Sequence, residues 1–385
     1  MTFKIGVLLL LLLYLKTILE AEITIPLPQF KPSATMRGMI QFDSGITGLN
    51  EDSFRLRRIR TDFRGSLTKD IDYRINLEHA NDESTLADST ITLKLSKENS
   101  IIIGKTKTPI GLEFLQPTKD LVLPEFGLST YLVPNRDIGI QFIRQHSKAQ
   151  YFLGIFSGAS DFQNVSNDQD KSRAIHARAF FHPINTSTTL LGIGIAGNVE
   201  NRQGTILNPG LGNYLYRGYG RFFSYSPGTY ANGPGYRLSP QGYFYKNKVG
   251  LLTEYILSSQ QISKNQDTTT VANKGWQMAL QYMLSNDKAT YGEVIPNSPY
   301  EIGGSGTGAW QIGFRVGQIS FDQNAFPLFA TSEQAETVSQ IGASLNWIWN
   351  RTLKWSLGID QLTKNDHAGT RSVDTLVLLR TQITF

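Results

Sequence analysis

Residues 54–67, FRLRRIRTDFRGSL, carry five arginines in fourteen positions. A guanidinium stays charged at any biological pH and presents planar pairs of N–H donors, so a row of them suits bidentate binding of oxyanions. Leu56, Ile59, Phe63 and Leu67 are interleaved with the cations, as on a strand with one apolar face. Further basic residues gather downstream. Lys105, Lys107, Lys119 and Arg136 flank or lie within residues 109–136. Arg217, Arg221 and Arg237 fall in NYLYRGYGRFFSYSPGTYANGPGYRLSP, which reads equally as the lining of a constriction or as an ordinary surface loop. Arg315 stands on the polar face of an alternating segment. Other chemistry finds little support. His79, His146, His176, His182 and His367 are scattered without ligand spacing, and there is no cysteine. GSGTG (304–308) lacks the strand and helix that a phosphate-binding loop needs. No catalytic residue, metal or cofactor is expected.

The elements that must position these cations are strands. Of 385 residues 40% are apolar and 18% charged, with 35 glycines, 16 tyrosines and 21 phenylalanines, a composition suited to sheet and turns. Trp276, Met278, Leu280, Tyr282 and Leu284 alternate with Gln277, Ala279, Gln281 and Met283. Trp310, Ile312, Phe314 and Val316 alternate with Gln311, Gly313, Arg315 and Gly317. The same period of two runs through residues 71–78, 341–347 and 353–360, and helical spacing fits none of them. The pattern predicts about sixteen strands, at 35–44, 53–66, 71–79, 89–96, 100–108, 137–145, 149–157, 172–182, 187–199, 239–245, 249–262, 273–284, 308–321, 338–348, 352–363 and 373–384. Short links (68–70, 97–99, 147–148, 246–248, 350–351) alternate with long ones (109–136, 158–171, 200–238, 322–337). Residues 285–307 break the rule: they are long but lie on the short side, and folding into the interior would accommodate them.

The N-terminus has one lysine and then an apolar run from Ile5 to Leu15, too short to span a bilayer. It reads as a signal peptide over residues 1–21, although a cut after Ala21 leaves Leu19 where a small residue is preferred; an uncleaved anchor is the alternative. An exported, strand-rich chain with aromatics near its strand ends, and a last strand LVLLRTQITF closing on Phe385, predicts an all-β transmembrane antiparallel barrel over residues 22–385. The soluble sandwich that also alternates needs neither feature. In a barrel, if Ile59, Thr61 and Phe63 face lipid, then Arg58, Arg60, Asp62 and Arg64 face a wet lumen. By the same parity Arg55 and Arg57 face lipid near the rim, where the cost of about 2–4 kcal/mol for a midplane arginine falls away; a local bulge is the alternative that turns Arg57 inward. Rings of Arg and Lys give anion selectivity. The competing reading pairs these charges with Asp62, Glu78 and Glu254, merely to keep the lumen wet.

The segment GKTKTPIGLEFLQPTKDLVLPEFGLSTYLVPNRDIG (104–139) resembles the phosphate-selective porin O/P family. Gly104, Lys105, Lys107, Gly111, Leu112, Glu113, Lys119, Arg136 and Gly139 carry the likeness. Arg57 and Arg58 look like that family's paired arginines, and YRIN (73–76), GAWQIGFR (308–315) and the ending Arg380 to Phe385 match in order. The resemblance implies a homotrimer of sixteen-stranded barrels in a bacterial outer membrane. Residues 109–136 would fold inward to narrow each pore, and anions would diffuse past the basic residues. It also places Phe114 where strongly phosphate-selective members carry a lysine, and Lys107 where they carry a residue that tunes the central site. The expected partners are small anionic solutes, outer-membrane lipid and lipopolysaccharide; a signal peptide argues against nucleic acid. A non-conducting barrel acting as adhesin, receptor or membrane-bound enzyme through its long loops is the second functional class.

Overall fold

The computed structural model describes residues 32–47, 53–80, 83–167, 171–216 and 220–385. The expected signal peptide and Arg217 lie outside the described residues. The period-two segments form β1 (Thr35–Thr47), β2 (Ser53–Thr68), β3 (Ile71–Ala80), β4 (Glu83–Lys94), β5 (Asn99–Thr106), β6 (Asp137–His146), β7 (Ala149–Phe156), β8 (Arg173–Asn185) and β9 (Thr189–Gln203). A small hairpin follows, β10 (Tyr214–Tyr216) and β11 (Gly220–Phe223). Then come β12 (Tyr230–Lys246), β13 (Val249–Lys264), β14 (Asp267–Met283), β15 (Ala309–Ser320), β16 (Ala335–Ile348), β17 (Leu353–Asp366) and β18 (Arg371–Thr384). All strands but β10 and β11 join in one closed antiparallel ring of sixteen, sealed by β1 against β18. At the seam the backbone of Phe385 exchanges two hydrogen bonds with Gly38, at 2.7 and 3.0 Å.

Several strands outrun their sequence signal. β12 begins at Tyr230 rather than near 239, because Asn232, Gly233 and Pro234, which read as a turn, sit at a bulge towards β13 while staying paired with β9. The ring is inside-out relative to a soluble protein. Ile140, Phe142, Leu153, Ile155, Ile193, Ile195, Leu280, Phe314, Ile341 and Ile359 point outward and are exposed, as lipid-facing residues of a barrel are. Aromatics ring the short-turn end: Tyr151 packs edge-on against Phe181 at 5.9 Å, and Trp310 stacks on Trp347 at 5.1 Å.

The main apolar core is inside the ring. Residues 107–136, the β10–β11 hairpin and residues 321–334 all fold inward from the long-loop end and pack together. Phe223 stacks on Phe321 at 3.8 Å, Tyr214 meets Phe321 at 4.8 Å and Tyr131 meets Phe222 at 5.9 Å. They rest on fully buried inward residues of one wall, Ile256, Val271, Ile319, Val338 and Leu362. Residues 284–308 enter from the short-turn end, as their length on that side suggested: Tyr291 donates its hydroxyl to Leu112 O at 2.6 Å, and Gln116 donates to Tyr291 O at 2.6 Å. The interior is therefore lopsided. The wall from β12 to β18 is covered by loops, and the wall from β2 to β6 is left facing open space.

Candidate functional site

The segment between β5 and β6 narrows the lumen. It turns at Gly111, whose φ of 83° favours glycine, into one helical turn, α1 (Leu112–Leu115). Irregular backbone at membrane depth must have its polar groups satisfied by protein. The inward polar side chains of the far wall do this. Lys354 donates to Leu121 O at 2.8 Å, Ser344 and Asn346 to Val122 O at 2.7 and 2.8 Å, and Arg237 to Leu132 O at 3.1 Å. Arg380 donates to Pro124 O, and Arg315 to Glu125 O at 2.9 Å. The Glu254 carboxylate accepts from Leu112 N at 2.5 Å and from Ser129 Oγ at 3.2 Å. Glycines make the seat: a Cβ at Gly313 would lie 2.6 Å from Val122, and one at Gly358 2.7 Å from Pro124. Strand glycines here admit a second backbone.

The opposite wall holds the arginine strand. Its register against β1 shifts between Gln41 and Phe42, so Arg57 is the extra residue of a bulge. Simple alternation put Arg55 and Arg57 towards lipid. The bulge restores both to the lumen, where Arg55 meets Asp43 at 3.4 Å and Arg57, 2% exposed, meets Glu125 at 2.8 Å. Beyond the bulge Arg58, Arg60, Asp62 and Arg64 face inward, as read from the sequence. Arg58 and Arg60 share the Glu78 carboxylate, Arg58 at 2.8 Å; Arg60 also donates to Thr118 Oγ1 at 3.1 Å. Asp62 takes Arg64 and, at 2.8 Å, Arg74. Charges withdrawn from water need such partners, so pairing with Asp62 and Glu78 holds, whereas Glu254 binds the loop and, among the described residues, no arginine.

Between this wall and the loop lies a cavity of about 270 Å³. Five of its lining residues are cations, Arg57, Arg58, Arg60, Lys107 and Arg136, against three carboxylates, Glu78, Glu83 and Glu125. The far side is aromatic, with Phe114, Phe126, Tyr131 and Phe162. Lys107 stands 4.6 Å over the Phe114 ring and donates to Gln116 O at 3.0 Å; it has no carboxylate partner within ion-pair distance among the described residues. Burial and the nearby guanidiniums of Arg136 and Arg60 push its ammonium well below the ordinary lysine range. An excess of positive charge facing confined water raises the local concentration of anions.

The remaining cations divide. Arg136, in the cavity lining, pairs with Asp88 at 3.3 Å, and Lys105, just beyond the cavity towards the long-loop end, donates to Ser166 Oγ at 2.7 Å. Lys119 turns to the other side, to Glu293 at 3.0 Å and Asp120 at 3.6 Å. Arg221 is exposed on β11. Arg237 and Arg315 do not line the cavity. Arg237 is 2% exposed, between Asp161 at 2.6 Å and Glu200 at 3.0 Å; Arg315 is fully buried on Glu113. Both bolt loops to strands. Sequence reading passed over Arg380, which grips Asp43 at 2.7 Å and Glu125 at 2.6 Å, although the C-terminal motif contained it. Glu125 carried no sequence signal at all.

A family model for phosphate-selective porin O and P matches residues 36–385. No curated protein matches the chain. Among solved structures, the outer membrane channel DcaP of Acinetobacter baumannii aligns over 92% of this chain and 97% of its own, at 12% identity and a TM-score of 0.60. A loop L8 deletion mutant of OmpT, an outer membrane protein of Vibrio cholerae, aligns over 92% and 99% at 8% identity, TM-score 0.57. An anion-selective porin from Comamonas acidovorans aligns over 92% and 100% at 11% identity, TM-score 0.54. At such identities the likeness is one of fold.

Proposed function

Because the chain belongs to the phosphate-selective porin O and P family, we propose that its lumen is an anion route along the β2–β6 wall, narrowed by residues 107–136. The protein is a bacterial outer-membrane porin that works by passive diffusion, a channel rather than an enzyme. One observation carries the anion reading: the cavity beside the constriction is lined by five cations against three carboxylates. Arg58, Arg60, Lys107 and Arg136 are its working residues, Lys105 leads into it, and Arg57 sets its charge through Glu125. The pairing of most guanidiniums suits transport, since a site that held its anion tightly would not release it. We infer further that the solutes are small oxyanions such as phosphate, that residues 1–21 direct export, and that the apolar belt meets outer-membrane lipid and lipopolysaccharide. We also infer that three copies assemble, as in the trimer form of OmpT.

Arg60→Ala tests the route. A unit charge within a few ångströms of a hydrated ion contributes about 1 kcal/mol in water-like surroundings, so the anion-to-cation permeability ratio should fall about fivefold. Reversal potentials across a planar bilayer in a potassium chloride gradient read this directly, and an unmoved reversal potential overturns the reading. Lys107 adds a pH dependence. Its depressed ammonium loses its proton while exposed lysines are still charged, so anion preference declines as pH rises towards, but short of, the ordinary lysine range. Lys107→Met should start lower and stay flat over that interval; a wild-type ratio constant up to pH 10 would remove Lys107 from the pathway.

A further inference from the structure

Four of the chain's five tryptophans meet at one place on the outer face of the barrel. Strand register sets Trp310 of β15 beside Trp347 of β16, and Trp347 beside Trp355 of β17, in one row at the short-turn end. Trp349, just after β16, lies 5.0 Å from Trp347 and 6.5 Å from Trp355 between ring centres. One step deeper, Leu357 pairs with Leu345 on one side and Leu379 on the other, and all three are exposed. These seven apolar side chains line a cleft of about 330 Å³ in the lipid-facing belt. It has room for much of one hydrocarbon tail.

The rim above the cleft is polar. Before entering β15, residues 284–308 leave the lumen and pack on the outer tryptophans. Tyr300 N donates to Trp349 O at 2.7 Å, the Tyr300 ring lies 4.5 Å from that of Trp349 and 5.2 Å from that of Trp347, and Trp347 Nε1 donates to Thr307 O at 3.0 Å. Glu301 follows Tyr300, and Arg351 comes two residues after Trp349, so an exposed carboxylate and an exposed guanidinium stand at the same rim. Neither has a partner within ion-pair distance among the described residues. The short-turn end of an outer-membrane barrel faces the periplasm, so lipid at this depth is inner-leaflet phospholipid. Rigid aromatic walls with polar edges suit the boundary between tails and headgroups. A free base and a free acid beside it complement a headgroup that carries both a phosphate and an ammonium. We propose that the cleft holds one acyl chain of a phospholipid of the ethanolamine type, its phosphate at Arg351 and its primary ammonium at Glu301. The inference rests on the barrel crossing the outer membrane and is independent of the anion route.

Fluorescence of the full-length protein, refolded in phosphatidylcholine vesicles, tests this. Trp276 lies outside the cleft, so in Trp276→Phe all indole emission comes from the four tryptophans that line it. Bromine atoms on an acyl chain quench an indole that they touch. A minor fraction of brominated phosphatidylethanolamine should quench about threefold more than the same fraction of brominated phosphatidylcholine, the preference that a surface charge pair supplies. Arg351→Gln combined with Glu301→Gln, both at exposed positions, should bring the two lipids to the same level. Leu357→Phe narrows the cleft, keeps the belt apolar and should do the same. Equal quenching by both lipids in the Trp276→Phe protein overturns the proposal. So does brominated phosphatidylglycerol quenching as well as the ethanolamine lipid, which would make Arg351 act alone. Quenching by none of the brominated lipids would mean that a second copy of the chain covers the cleft, and overturns the proposal too.

Discussion

Replacing Glu125 by alanine should both loosen the constriction and strengthen anion preference. Glu125 is the carboxylate through which the constriction loop grips the barrel seam: it accepts from Arg57 at 2.8 and 2.9 Å and from Arg380 at 2.6 Å. Arg380 keeps Asp43 at 2.7 and 2.9 Å when Glu125 is gone. Among the described residues Arg57 keeps no carboxylate at ion-pair distance, and its Nη1 already lacks a partner. Stripping one partner from a buried ion pair costs about 3–5 kcal/mol, enough to drive the loop off its seat or draw an anion to Arg57. Single-channel recordings should show a larger, noisier conductance and a reversal potential shifted towards that of the anion. Glu125→Gln loses the charge but keeps an acceptor, so the shift should persist with less noise. A quiet channel of unaltered selectivity in both variants would refute the assignment.

Acid titrates the same contact. Burial alone would raise the Glu125 carboxyl, but Arg57 and Arg380 outweigh it and hold it well below the usual range. A carboxyl depressed in the folded state stabilises fully above its unfolded value, about 4.3, and that stabilisation is lost as pH falls towards the folded value. Conductance noise should therefore stay low from pH 7 to 5 and rise only below about pH 4. A step near pH 6 would place the anchor elsewhere.

Gly358→Val is expected to move the loop the other way. The Cβ added at Gly358 would meet Pro124 at 2.7 and 2.8 Å, with no other atom closer than 3.9 Å. β17 is fixed by hydrogen-bonded neighbours on both sides, so the loop yields. Overpacking of this kind costs about 1–3 kcal/mol. Displaced from its wall, the segment has only the arginine-side cavity to move into. Conductance should fall while the barrel still folds and resists detergent; an unchanged conductance would mean that the loop is not seated by this glycine.

Much of this was open to reading from the primary structure. Strict alternation in segments such as 276–284 and 308–316 gives a strand with one wet and one dry face, and sixteen of them after an apolar N-terminal run that reads as an export signal leave few closures other than a ring. Gly-Leu-Glu at 111–113 and the terminal phenylalanine marked the constriction and the last strand. The inward residues were harder. Parity sent Arg55 and Arg57 to lipid because a bulge at one residue reverses every side chain before it, and no residue type near Gln41 and Phe42 announces one.

The residue pattern by itself determined that the chain is a barrel with a charged lumen, because a period of two is a local property fixed by the pleat of each strand. Which cations remain available to a solute was decided only by the tertiary structure. Arg237 and Arg315 look no different in sequence from Arg58 or Arg178, yet two are locked into loop anchors, one faces the cavity and one has no carboxylate partner among the described residues. Whether a guanidinium is spent or free depends on carboxylates such as Glu113, Glu125 and Asp161, which reach it from loops dozens to hundreds of residues away, and the strength of such a pair depends on distance and burial that no spacing along the chain records.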